Sequence, residues 1–66
     1  MMVFTLPGLT EFEARYVAGK LQDLGATASV GIRMEALGPI LTVESGPPDI
    51  EHHVMKLAPQ AVRIPS

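Results

Sequence analysis

Cysteine is absent from the chain, so neither a disulfide nor a thiolate metal site can stabilise the fold. No stretch approaches the ~18 consecutive apolar residues that a membrane span requires. The first residues also lack the basic region and apolar run of a signal peptide. We therefore expect a cytoplasmic protein that does not associate with membranes.

Charge is also scarce. Charged residues make up 18% of the chain, below the ~25% that is usual in soluble domains. The net charge is −2 and the five basic residues are scattered, so the basic patch needed for nucleic-acid binding is missing. Hydrophobic residues reach 47%, and a small domain has a large surface to cover. We expect part of that apolar surface to meet a protein partner.

The predicted elements follow the order β-α-β-β-α-β. β-prone or alternating segments indicate four strands, and capped segments indicate two helices. The strands are predicted at 2–6, 26–34, 40–45 and 60–64, and the helices at 10–24 and 45–59. This order is typical of the ferredoxin-like, or split βαβ, fold. We expect one α+β domain over 1–66, with two helices on one face of a four-stranded antiparallel sheet whose first and third strands are central.

Local signals predict where the helices begin and end. Thr10 and Glu13 have the spacing of a capping box, and Gly25 is placed to end the first helix in a left-handed conformation. Pro48 suits the first position of the second helix, and residues 35–39 supply the turn between the second and third strands. The core is predicted to contain Phe4, Leu6, Val17, Leu21, Leu24, Val30, Ile32, Leu41, Val43, Ile50, Val54, Leu57, Val62 and Ile64.

The side of the first helix that should face water carries Phe12, Tyr16, Gly19 and Asp23. A glycine inside a helix lowers helix stability by ~1 kcal/mol relative to alanine. Its one advantage is that another backbone can approach the helix closely. The four residues therefore predict a contact surface for another backbone. The alternative is that Phe12 folds over the end of the sheet while Tyr16 lies flat on the surface, because single exposed aromatic residues are common.

The simplest partner for this surface is a second copy of the chain, because a two-fold dimer needs one self-complementary patch. In such a homodimer the first helices cross, with Phe12 packing toward the Tyr16 end of the other copy. A competing homodimer pairs the edge strand at 27–33 with its symmetry mate. Gly19→Leu is expected to block the helical contact and to leave the edge contact unchanged.

Residues suited to catalysis or metal binding are few. His52, His53 and Met55 form the one cluster with metal-ligand character, and a copper-type site there is the alternative function. Serines lack a His–acid arrangement, glycines lack phosphate-loop spacing, and the outward strand positions carry no aromatic residue on which RNA bases could stack. We expect neither an enzyme nor a bound cofactor.

Residues 8–14 resemble the start of heavy-metal-associated domains of the copper-chaperone type. Gly8, Leu9 and Thr10 match the residues that precede the Cys-x-x-Cys pair of that family, whereas Glu11 and Ala14 stand at the two cysteine positions. The resemblance extends over nearly the whole chain and implies the ferredoxin-like fold, but the implied Cu(I) binding is lost with the cysteines. A second similarity, to small bacterial ferredoxin-like proteins, implies no particular activity. Together they favour a small binding or regulatory module.

Overall fold

The computed structural model describes residues 1–32 and 38–65, which form four strands and two helices. In chain order these are β1 (Met2–Thr5), α1 (Glu11–Asp23), β2 (Thr27–Ile32), β3 (Pro39–Ser45), α2 (Ile50–Leu57) and β4 (Val62–Ile64). The sheet is antiparallel, with the strand order β2-β3-β1-β4. This confirms the predicted α+β, ferredoxin-like fold with β1 and β3 at the centre. Residues 33–34 of the predicted second strand and 35–37 of the turn predicted at 35–39 lie outside the described residues, and Pro39 already belongs to β3.

Strand register decides which side chains meet the helices. Phe4 pairs with Leu41 on one side and Arg63 on the other, whereas Thr5 pairs with Val62. Because alternate residues point to opposite faces of a sheet, the fully buried Phe4 and Leu41 mark the face covered by the helices. Val62 therefore lies on the open face.

The hydrophobic core fills the space between the covered sheet face and the two helices. Leu21 of α1 and Val54 of α2 are fully buried against the same cluster as Phe4. Among the described residues, no polar or charged side chain is buried. The predicted core residues that are buried are Phe4, Leu6, Val17, Leu21, Leu41, Val43, Ile50 and Val54, and Val30 is partly buried.

Five predicted core residues are exposed instead, namely Leu24, Ile32, Leu57, Val62 and Ile64. The prediction is wrong for Val62 and Ile64 because Arg63 takes the register position opposite Phe4, which leaves its two neighbours on the open face. Arg63 forms an ion pair with Glu51 of α2. That pair places the charged residue on the helix side of β4.

The other three exposed residues lie at the ends of elements. Leu24 is the C-cap of α1 and Leu57 is the last residue of α2, so neither lies over the middle of the sheet. Ile32 ends the described part of the edge strand β2. Small side chains complete the core and let the helices approach the sheet closely. These are Ala14, Ala18, Ala26, Ala28, Ala58 and Ala61.

Both ends of α1 are closed by local hydrogen bonds. The Glu13 amide donates to Thr10 Oγ1 at 3.1 Å and the Thr10 amide donates to Glu13 Oε1 at 2.9 Å, which confirms the capping box. Gly25 has a φ of 89°, and its amide donates to the Gln22 carbonyl at 2.9 Å. This left-handed ending is the one predicted from the glycine.

The second helix starts later than predicted. Its N-cap is Asp49 and its first helical residue is Ile50, so the prediction of Pro48 at the first helical position is wrong. Pro47 and Pro48 form a turn, in which the Ile50 amide donates to the Pro47 carbonyl at 3.1 Å. Because proline lacks an amide donor, it fits a turn before a helix as well as the first helical position.

Candidate interaction surfaces

Phe12 and Tyr16 project from the outer side of α1. Phe12 is 83% exposed and Tyr16 is 53% exposed, so Phe12 does not fold over the end of the sheet. The Nζ atom of Lys20 lies 5.4 Å from the centroid of the Tyr16 ring, a distance typical of a cation–π contact. Two large aromatic side chains therefore remain largely uncovered, one helical turn apart.

The two aromatic residues border a groove of about 310 Å³ between α1 and the C-terminal end of α2. Its lining consists of Leu9, Phe12, Glu13, Tyr16, Val17, Leu57 and Gln60. We call it the aromatic groove. Its walls are mostly apolar, and the exposed Leu57 faces the aromatic side from α2.

Gly19 borders a different groove, which lies between α1 and β2. This groove has a volume of about 340 Å³, and its lining consists of Arg15, Ala18, Gly19, Gln22, Ala28, Ser29 and Val30. We call it the β2 groove. A Cβ atom placed at Gly19 would meet no atom within 4 Å. The glycine therefore leaves open space beside the edge strand.

The predicted contact surface thus faces two different parts of the molecule. Phe12 and Tyr16 belong to the aromatic groove, Gly19 belongs to the β2 groove, and Asp23 is exposed in the last turn of α1. The contact itself stays a prediction. Gly19→Leu does not separate the two predicted dimers, however, because the new side chain would enter the space beside β2 and disturb both contacts.

Gly19→Ala is expected to raise the free energy of unfolding by about 1 kcal/mol. The position is helical, its φ is not positive, and the added methyl group meets nothing within 4 Å. For a domain of this size, that gain corresponds to a melting temperature about 4–8 °C higher, measurable by circular dichroism. A lower melting temperature would contradict the open space beside Gly19.

The three residues of the alternative metal site lie on α2, where His53 faces Asp49. His53 Nε2 is 3.1 Å from Asp49 Oδ2, and the rings of His52 and His53 lie edge to face with 6.0 Å between their centroids. In the part of the chain that the structure describes, no group of three or more His, Cys, Asp or Glu side chains could hold an ion. Met55 is partly exposed on the same helix. The copper-type site at His52, His53 and Met55 stays a prediction.

Two features of these surfaces have no clear signal in the sequence. Leu57 lies on an apolar helix stripe and is predicted to be buried, yet it forms a wall of the aromatic groove together with Gln60. Gln22 donates from Nε2 to the Ala28 carbonyl at 2.9 Å and so ties α1 to β2. The polar character of Gln22 suggests only an exposed helix position, and its partner becomes apparent in the folded chain.

Neither helix within 1–32 and 38–65 combines the length and apolar content needed to cross a membrane. Comparisons of the chain with protein-family models, with curated proteins and with solved structures gave no significant match. The resemblance of residues 8–14 to heavy-metal-associated domains accordingly stays a prediction.

Proposed function

We propose that this protein is a small non-enzymatic interaction module that binds a protein partner through the aromatic groove. The observation that carries the proposal is the exposure of Phe12 and Tyr16 along one groove, at 83% and 53%. Aromatic residues are enriched at the centres of protein interfaces and dominate their hot spots. A binding role accounts for two such side chains in water, where they contribute little to the core.

The groove suits a partner segment that inserts an apolar side chain. Leu9 and Leu57 extend the apolar surface around the aromatic rings, while Glu13 and Gln60 place polar groups beside it. An apolar centre with a polar rim is the usual anatomy of a protein interface. Lys20 adds a cation next to Tyr16, which favours a partner with an acidic residue beside its apolar anchor.

The charged residues support a binding role better than a catalytic one. Three pairs in the described residues lie at the surface, Glu11 with Arg15, Glu51 with Arg63, and Asp49 with the half-buried His53. Such pairs at the surface are typical of solvated charges. These carboxylates therefore act as solvated surface charges.

The complex is expected to be of moderate strength. A buried aromatic side chain covers about 150–250 Å², and burial contributes about 25 cal/mol per Å² of apolar area. Two such residues contribute several kcal/mol, from which the loss of translational and rotational freedom subtracts a large part. We therefore expect micromolar rather than nanomolar affinity.

Site-specific photo-crosslinking in cells tests the proposal. Phe12 replaced by p-benzoylphenylalanine should give one dominant adduct with a partner protein, because that side chain lies at the groove. The same replacement at Val62, which is 55% exposed on the open sheet face, is the matched control and should not give that adduct.

A second substitution links the adduct to the groove itself. Tyr16→Ser in the Phe12 crosslinking variant should abolish the adduct, since it removes half of the aromatic surface without touching the core. Two results would show that the groove is not the docking site. One is that the crosslinker captures the same proteins at Phe12 and at Val62, and the other is that Tyr16→Ser leaves the adduct undiminished.

A further inference from the structure

The hydrogen-bond pattern of β3 identifies the backbone groups that join the strands. The Leu6 amide donates to the Pro39 carbonyl at 3.0 Å, so the Pro39 carbonyl points toward β1. Along an antiparallel strand, successive residues direct their amide and carbonyl groups to opposite neighbours. Ile40 and Thr42 therefore point toward β2.

The same alternation identifies the groups on the outer edge of β2. Gly31 and Ser29 are the register partners of the two β3 residues that point toward β2. Ala28, Val30 and Ile32 consequently direct their amide and carbonyl groups away from β3, to the edge of the described sheet. The position of the Gln22 side chain agrees, because it donates to the Ala28 carbonyl from α1.

Apart from the Gln22 side chain on the Ala28 carbonyl, the described part of this edge lacks the usual protection against pairing. Natural edge strands commonly carry charged residues or proline, or are very short. β4 follows that pattern, since it has three residues, includes Arg63 and is followed by Pro65. Between Thr27 and Ile32, β2 has neither a charged residue nor a proline.

We propose that β2 pairs with β2 of a second copy of the chain, antiparallel about a two-fold axis at Val30. A register irregularity between Thr27 and Ala28 ends the regular part of the strand, so that part runs from Ala28 to Ile32 with Val30 at its centre. An axis at Val30 places Ala28 of one copy opposite Ile32 of the other. The edge-facing groups of Val30 and Ile32 and the Ala28 amide then find partners, and the Ala28 carbonyl accepts a second hydrogen bond beside the one from Gln22.

Side chains at the two ends of the strand are complementary in this register. Ile32 is 62% exposed, whereas Ala28 lines the β2 groove of about 340 Å³. Paired residues point to the same face of a sheet, so Ile32 of the second copy lies over Ala28 beside the groove. The missing side chain of Gly19 leaves room there.

The charge beside the groove does not oppose an apolar side chain. Arg15 lines the groove, but its guanidinium group is paired with Glu11 at 2.6 Å. Each copy thus has an exposed isoleucine and a β2 groove in which the positive charge is neutralised. A two-fold axis places the isoleucine of each copy at the β2 groove of the other. This self-complementarity indicates a second copy of the chain as the occupant.

The contact is small, because it consists of one short strand pair and two isoleucine side chains. Standard interfaces cover about 800 Å² per partner, so we expect a micromolar rather than a nanomolar dissociation constant. The surface is separate from the aromatic groove, and the dimer does not depend on the proposed function.

A comparison of two variants, Ile32→Lys and Val62→Lys, tests the dimer. Sedimentation velocity from micromolar to millimolar concentrations gives the dissociation constant of each. Both residues are exposed strand residues, at 62% and 55%, on opposite edges of the sheet. Ile32→Lys should raise the dimer dissociation constant by more than about tenfold, because an edge lysine opposes strand pairing. Val62→Lys should leave it unchanged, and circular dichroism should show both variants folded.

Hydrogen exchange of the wild type gives a second readout without substitution. The amides of Val30 and Ile32 should exchange more slowly as concentration rises, whereas the Arg63 amide, on the edge of β4, should not change. A wild type that stays monomeric at millimolar concentration, or equal dimerisation of Ile32→Lys and the wild type, overturns the proposal. Loss of the dimer with Tyr16→Ser also overturns it and assigns the contact to the aromatic groove.

Discussion

Phe4→Ala is expected to lower the free energy of unfolding by about half, whereas Phe12→Ala is expected to leave it unchanged. Phe4 is fully buried, and truncating a buried phenylalanine to alanine costs about 3–5 kcal/mol. A chain of 66 residues has a total free energy of unfolding of about 3–10 kcal/mol. The loss is therefore about half of the total stability at the middle of both ranges.

The two phenylalanines of the chain form a matched pair. The chemical change is the same at both positions, but Phe4 packs between the sheet and the helices while Phe12 is 83% exposed. Urea denaturation followed by circular dichroism measures both free energies of unfolding. Equal losses at the two positions would mean that Phe12 supports the fold, which would weaken its assignment to a binding surface.

The element order is predictable because most boundaries have a local cause. The Thr10–Glu13 capping box and the left-handed Gly25 act over a few residues, so their pattern is visible without the fold. The start of α2 is less predictable. Pro48 is compatible both with a turn and with a first helical turn, and the difference depends on how the chain leaves β3.

Burial is less predictable than secondary structure because alternation alone does not say which face is covered. In β4, the apolar Val62 and Ile64 resemble the buried side of a strand. The structure instead places Arg63 on the helix side, where it pairs with Glu51. That ion pair joins two different elements, α2 and β4, and no local pattern indicates it.

The candidate surfaces show the same limit. The exposure of Phe12 and Tyr16 follows from helical periodicity within α1 and is predictable from the sequence. The wall formed by Leu57 and Gln60 comes from the far end of the chain. Likewise, Gly19 shares a helix face with Tyr16 in sequence, but tertiary packing places it beside β2.

Gly38→Ala is expected to lower the free energy of unfolding by about 2–5 kcal/mol. Gly38 has a φ of 107°, and a Cβ atom there would lie 2.6 Å from the carbonyl oxygen of Leu6. That oxygen cannot move freely, because it accepts a hydrogen bond from the Leu9 amide at 3.2 Å, and the Leu6 amide is bound to the Pro39 carbonyl. The substitution therefore separates the start of β3 from the chain that follows β1.

Gly25→Ala is the matched control, because it isolates the conformational part of that cost. Gly25 has a φ of 89°, yet a Cβ atom there would meet nothing within 4 Å. Gly25→Ala should lower the free energy of unfolding by only about 1–2 kcal/mol, which is the cost of an alanine in the left-handed conformation. In urea denaturation, Gly38→Ala should therefore unfold at a lower concentration than Gly25→Ala. Equal midpoints would mean that the Leu6 carbonyl yields to the added methyl group, and that Gly38 is required only for its φ.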